Sequence, residues 1–247
     1  MKTETLDLST SRGATTAHVA RPDTETATSI ILIHEWWGIN DHIRDVAGRY
    51  ANEGFLCIAP DLFRGKVTKD AAEASKLMHD LPIEDGIDTI REAVAEAKVK
   101  YKVQKFSITG FCMGGTFALR GASEIDDFAA AAPFYGDIPP DDVLENLKGP
   151  TLFIAGGRDN WINAEKVDQL EQAARKYDLP LEVVVYDADH AFFNDTNADR
   201  VIDGGPGQGP VEVRVADAEQ RRRPRIRPRV GGSQLGDVEP GEQPHRA

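Results

Sequence analysis

Gly110-Phe111-Cys112-Met113-Gly114-Gly115 stands between the apolar run Phe106-Ser107-Ile108-Thr109 and the helix-like Thr116-Phe117-Ala118-Leu119-Arg120. Strand, G-x-C-x-G, helix is the context of a nucleophile elbow, with sulfur where serine usually stands. A reactive atom at the tip of so sharp a turn leaves no room for side chains one turn away. Gly110 and Gly114 supply that room, and Gly115 lets the helix pack closely on the sheet. The thiol would also meet the positive end of a helix, which favours thiolate. The competing reading is a buried structural cysteine beside a glycine turn, and the rest of the chain decides between them.

Outward from the elbow, short apolar runs alternate with helical patterns, which predicts βαβ units and a mostly parallel sheet. Leu6-Asp7-Leu8 and Ala14 to Ala20 alternate across Ser-Arg-Gly and read as an edge hairpin. Ser29 to His34 is a continuous apolar strand, buried on both faces. Asp41 to Asn52 carries one apolar stripe (Ile43, Val46, Ala47, Tyr50) and ends at Gly54. Phe55 to Ala59 is a strand, residues 70–80 and 84–100 are helices, and strand 105–109 leads through the elbow into helix 113–123. Phe128 to Phe134 and Thr151 to Ala155 are strands. Asn163 caps a helix reaching Tyr177, and Leu181 to Tyr186 is the last strand.

The composition narrows the function classes. The 247 residues carry a net charge of −12 and 40% hydrophobic residues, enough for one sizeable α/β core. That charge argues against nucleic acid or an anionic membrane surface as partner. No apolar run reaches membrane-spanning length, and the N-terminus lacks an apolar signal core. A cytoplasmic monomer acting on a small molecule is the expectation. Of two cysteines, Cys57 lies in a buried-strand pattern, so neither a disulfide framework nor a metal site is expected.

Cys112, Asp159 and His190 follow one another in the order nucleophile, acid, histidine, each just past the carboxyl end of a predicted strand. Open α/β sheets place their ligand crevice there. The division of labour follows: Cys112 attacks an acyl carbon, His190 handles the thiol proton and later activates water, and Asp159 orients the imidazole. The oxyanion needs two backbone N–H donors, assigned to Met113 and to Trp36 in the loop His34-Glu35-Trp36-Trp37-Gly38. Asp187 and Asp189 compete with Asp159 as the acid. Trp37, Phe111, Tyr135, Trp161 and Phe192 are candidates to line an apolar substrate pocket, or are core.

As a set, these stretches resemble the dienelactone hydrolase family, the cysteine-dependent branch of the α/β hydrolases. The matching motifs are His34-Glu35-Trp36-Trp37-Gly38-Ile39-Asn40, Ala59-Pro60-Asp61-Leu62-Phe63, the elbow, Phe134-Tyr135-Gly136, Gly156-Gly157-Arg158-Asp159 and Asp189-His190-Ala191-Phe192. They run in family order over about residues 5 to 200. The resemblance implies an α/β-hydrolase fold and hydrolysis of an ester or enol-lactone, with no cofactor and no metal. It also implies a role for Glu35: a carboxylate that holds the thiol proton at rest and takes it when substrate binds.

Two departures from the family stand out. The prototype anchors a substrate carboxylate with two arginines; the corresponding positions here are Asn194 and Ala71 or its neighbours, leaving Arg64 or Arg158 as substitutes. A carboxylate buried without a cation is costly, so a neutral or aromatic ester or lactone is expected. Secondly, the α/β-hydrolase domain is expected over 1–200 without its usual final helix. Residues 201–247 hold 14 Gly and Pro, no aromatic residue and the arginine block 221–229, and read as a disordered tail. Such a run is what GC-rich coding DNA yields in a shifted frame. The second reading, a non-catalytic or degenerate ligand-binding protein of the same fold, draws on these two departures; the intact Cys-His-Asp set favours the enzyme.

Overall fold

A computed structural model describes residues 1–194 and 212–215. In chain order the elements are β1 (Lys2–Thr10), β2 (Gly13–Arg21), β3 (Thr28–Ile33), α1 (Asp41–Asn52), β4 (Leu56–Pro60), α2 (Ala71–His79), α3 (Ile83–Tyr101), β5 (Lys105–Phe111) and α4 (Met113–Glu124). They continue with β6 (Phe128–Phe134), α5 (Asp141–Leu144), β7 (Thr151–Gly156), α6 (Ala164–Lys176), β8 (Leu181–Tyr186) and β9 (Glu212–Val215). The sheet runs β1-β2-β4-β3-β5-β6-β7-β8-β9. From β4 to β8 every pairing is parallel; the β1–β2 hairpin and β9 add antiparallel edges.

Strand alternation divides the core between the two faces. Ile31, Ile33 and Ile58 pack with Ile87, Ile90 and Val94 of α3 and with Phe117 of α4. Leu32, Cys57 and Ala59 point the other way, onto Ile43, Val46 and Ala47 of α1. Further along, Phe153, Leu181 and Val183 meet Val167 and Leu170 of α6. Asn40 and Asn163 cap α1 and α6, each side chain accepting an orphan amide at the helix start, from Ile43 and Lys166 respectively.

From β3 the chain crosses to β4 on one side, and the next crossover lands β5 on the other. That reversal opens the crevice beyond the carboxyl ends of β3 and β5, where Glu35 and Cys112 follow their strands.

Two elements depart from the expected layout. The four-residue α5 is too short to show periodicity. Strand β9 falls inside the stretch 201–247 expected to be disordered; Glu212-Val213-Arg214-Val215 alternates polar and β-branched residues, and pairs with β8 from Glu182 to Val185. The remainder of that stretch, with its arginine block and the question of a final helix, lies outside the described residues. No helix among the described residues is long and apolar enough to cross a membrane.

Candidate active site

The elbow forces the backbone of Cys112 to φ +56° and ψ −118°, a strained conformation for a non-glycine residue. Close packing holds it there. A Cβ on Gly110 would stand 2.3 Å from the Gly114 carbonyl oxygen, and one on Gly114 would stand 2.3 Å from that of Ile33. Cys112 N–H donates to Phe134 O at 3.1 Å, fixing the elbow to the end of β6. Met113 follows as the first residue of α4, so its amide belongs to the unpaired first turn of the helix.

Two opposing influences meet at the thiol. Cys112 is 5% exposed, and burial, reinforced by the negative charges of Glu35 and Asp159, pushes its pKa up to about 12. The Met113 amide pulls in the opposite direction but does not prevail. At rest the sulfur is therefore a protonated thiol, because a helix N-terminus does not outweigh desolvation beside a carboxylate. Cys57 is free and fully buried in β4; burial raises its thiol too, and it behaves as a small apolar side chain.

His190 and Asp159 meet although 31 residues separate them. His190 Nδ1 and Asp159 Oδ2 are 2.7 Å apart. The other carboxylate oxygen, Oδ1, accepts from the amides of Trp161 (2.8 Å) and Ile162 (2.9 Å). Burial works to raise the Asp159 pKa, but His190 and these two amides together hold it below the ordinary value. An ionised Asp159 keeps the proton on Nδ1 of the imidazole. Nε2 of His190 is then the free nitrogen; it is buried and has no hydrogen-bond partner among the described residues. Tyr135 and Trp161 flank the ring at 5.2 and 5.0 Å between centroids. The rival acids Asp187 and Asp189 are engaged by Arg158 instead.

Glu35 is 2% exposed, and its Oε2 accepts from Asn194 Nδ2 at 2.7 Å. Its backbone is pinned by His34, which is fully buried: Nδ1 lies 2.6 Å from the Glu35 carbonyl oxygen and Nε2 accepts from Leu62 N–H at 3.1 Å. Burial lowers the His34 pKa, so the ring is neutral with its proton on Nδ1. One neutral histidine thus joins the loop after β3 to the loop after β4. Trp36 and Trp37 extend from the same loop, their rings edge-to-face at 4.9 Å. His34 stood in a family motif without a role assigned to it, and the only signal of the Asn194–Glu35 contact was that Asn194 occupies a position where arginine was expected.

The aromatic candidates separate by position. Phe111 is fully buried and stacks on Phe193, with centroids 4.6 Å apart. Phe192, half-buried, meets Tyr135 edge-on at 5.2 Å, and Trp161 is 40% exposed over His190. Arg64, a possible anion anchor, reaches back to the β1–β2 turn, donating to Gly13 O, Ala14 O and Thr10 Oγ1. Arg158 is held by Asp187 and Asp189.

Residues 15–222 match the family model described as the dienelactone hydrolase family. The chain is 34% identical over 184 residues to "Protein usf" of Aquifex pyrophilus, covering 69% of this chain and 78% of the relative. It is 32% identical over 184 residues to a protein of Aquifex aeolicus named "Putative carboxymethylenebutenolidase", covering 69% and 79%. Among solved structures, a Klebsiella pneumoniae protein titled "Putative Dienelactone Hydrolase" superposes with a TM-score of 0.74 at 28% identity, over 80% of this chain and 90% of the other.

Proposed function

This chain belongs to the dienelactone hydrolase family and is a hydrolase of that kind, and on that premise we propose that it cleaves small neutral esters or lactones through Cys112, His190 and Asp159. The observation that carries this reading is the strained elbow thiol sharing its surroundings with an ionised Asp159, whose histidine keeps an unsatisfied Nε2.

In the proposed cycle Glu35 is the gate. At rest its charge disfavours thiolate. Substrate entry brings the carboxylate onto the thiol proton, and the thiolate attacks the ester carbonyl carbon. The oxyanion lies against the Met113 amide, with Trp36 N–H as second donor. The thiol proton, relayed to Nε2 of His190, goes to the leaving oxygen as the C–O bond breaks, leaving a thioester on Cys112. His190 then takes a proton from water; the hydroxide attacks the thioester, the carboxylic acid departs, and Cys112 regains its proton. Asp159 keeps the imidazole in the right tautomer throughout.

Neutral substrates are favoured because Arg64 and Arg158 are engaged elsewhere and Asn194 is committed to Glu35. A panel of neutral esters, lactones, thioesters and dienelactone, run on wild type and Cys112→Ala, tests this. Turnover of neutral esters or lactones above dienelactone, abolished in Cys112→Ala, is expected. Full activity in Cys112→Ala, or preference for the carboxylate-bearing lactone, overturns the assignment.

A further inference from the structure

Tyr135 combines two unfavourable features at one residue. Its backbone is held at φ +37°, a strained conformation for a non-glycine residue. Its side chain is 1% exposed, yet the hydroxyl has no hydrogen-bond partner among the described residues, and a buried donor left unpaired is destabilising. The surroundings impose both. Tyr135 N–H donates to Ile154 O at 2.7 Å, and Phe134 O is taken by the Cys112 amide. The next residue, Gly136, lies so close to α4 that a Cβ there would be 2.1 Å from Thr116 N. The ring is thereby directed into the candidate site, edge-on to His190 and Phe192. The negative charges acting on its hydroxyl at rest are those of Glu35 and Asp159. Burial and these charges keep the phenol protonated, and the Phe193 amide works against them without completing a hydrogen bond.

Two touching rings, His190 and Tyr135, therefore each carry a buried polar atom without a partner. In the proposed ester cleavage the carbonyl oxygen is served by the backbone amides of Met113 and Trp36. The oxygen that needs donors beside Nε2 of His190 is the departing one. Resting on the hydrolase reading above, we propose that Tyr135 Oη donates a hydrogen bond to the leaving-group oxygen, so that the site is specific for esters and lactones with poor, alkoxide-type leaving groups. Tyr135 keeps its proton; the C–O electron pair goes to the leaving oxygen, which takes its proton from His190.

Tyr135→Phe keeps the ring and deletes the donor. A series of acetate esters, from p-nitrophenyl through phenyl to alkyl, separates this role from a packing role. Expected is a loss in kcat/KM of about tenfold or more on alkyl acetates, the worth of one hydrogen bond. The p-nitrophenyl ester should change by less than about threefold, so dependence on leaving-group pKa steepens. Without substrate, Tyr135→Phe should melt no lower than wild type, because it removes an unsatisfied hydroxyl. An equal loss across the series, no loss at all, or a lowered melting temperature overturns the proposal. Failure of the underlying hydrolase reading looks different: ester turnover then survives in Cys112→Ala, or is missing from wild type, and the leaving-group role goes with it.

Discussion

Asn194 Nδ2 donates to Glu35 Oε2 at 2.7 Å, with both residues 2% exposed and 159 positions apart in the chain. A neutral amide thus steadies the carboxylate that faces the thiol, at a position where the family resemblance leads one to expect a cation. Asn194→Ala should lower unfolding free energy by about 1–3 kcal/mol, through a buried acceptor that loses a donor. Asn194→Asp should be worse near neutrality and recover activity as the pH falls, since two adjoining buried carboxylates must share a proton. Urea unfolding and a pH–rate profile check both; an Asn194→Asp profile parallel to wild type speaks against the contact.

Glu35→Gln separates proton withholding from proton acceptance. Removing a negative neighbour that raises the Cys112 pKa should speed thiol alkylation at a fixed pH, by about tenfold for each unit the pKa falls. The same change removes the proton acceptor, so ester turnover should drop. Opposite signs in the two assays are the signature of a gate. Alkylation and substrate protection both unchanged would rule it out.

His34 makes stability depend on pH. Its folded pKa is lowered below 6.5 by burial, so above 6.5 both folded and unfolded states hold it neutral and its contribution is fully present. As pH falls below 6.5 the unfolded chain gains a proton that the folded ring refuses, and stability is lost. His18 contributes with the same sign, its pKa lowered by burial and by Arg44. The diagnostic quantity is therefore the difference between wild type and His34→Asn. The variant should be less stable at high pH and should lose less on acidification; equal losses would mean His34 is not the neutral link between its two loops.

Gly114→Ala tests the elbow itself. The added methyl would stand 2.3 Å from the carbonyl oxygen of Ile33, a backbone atom that cannot step aside. Overpacking of this kind costs typically 1–3 kcal/mol. Both melting temperature and turnover should fall, whereas Gly54→Ala, whose Cβ meets nothing within 4 Å but whose φ is +91°, should cost stability alone.

Much of this was legible in the sequence. Runs such as Ser29 to Ile33 and the stripe in α1 carried their periodicity openly, so the sheet and its helices followed. The placement of Cys112, Asp159 and His190 beyond the carboxyl ends of β5, β7 and β8 was readable from the apolar runs that precede them. What stayed hidden depends on contacts between distant residues: the Asn194–Glu35 bond, the His34 link to Leu62 and the unsatisfied Tyr135 hydroxyl leave no periodic trace. For Cys112 the sequence showed both a helix start that favours thiolate and Glu35 that opposes it; burial, the larger influence, cannot be read in one dimension. Strand β9 hid in a stretch whose overall composition masked four alternating residues.

The most direct test of a Cys112 nucleophile is rapid acid quenching of wild type during its first turnover of p-nitrophenyl acetate, followed by peptide mass spectrometry. An acetyl group on the peptide containing Cys112, absent from Cys112→Ala together with turnover, is the expected result. Acetyl on another residue, or steady hydrolysis by Cys112→Ala, would contradict it.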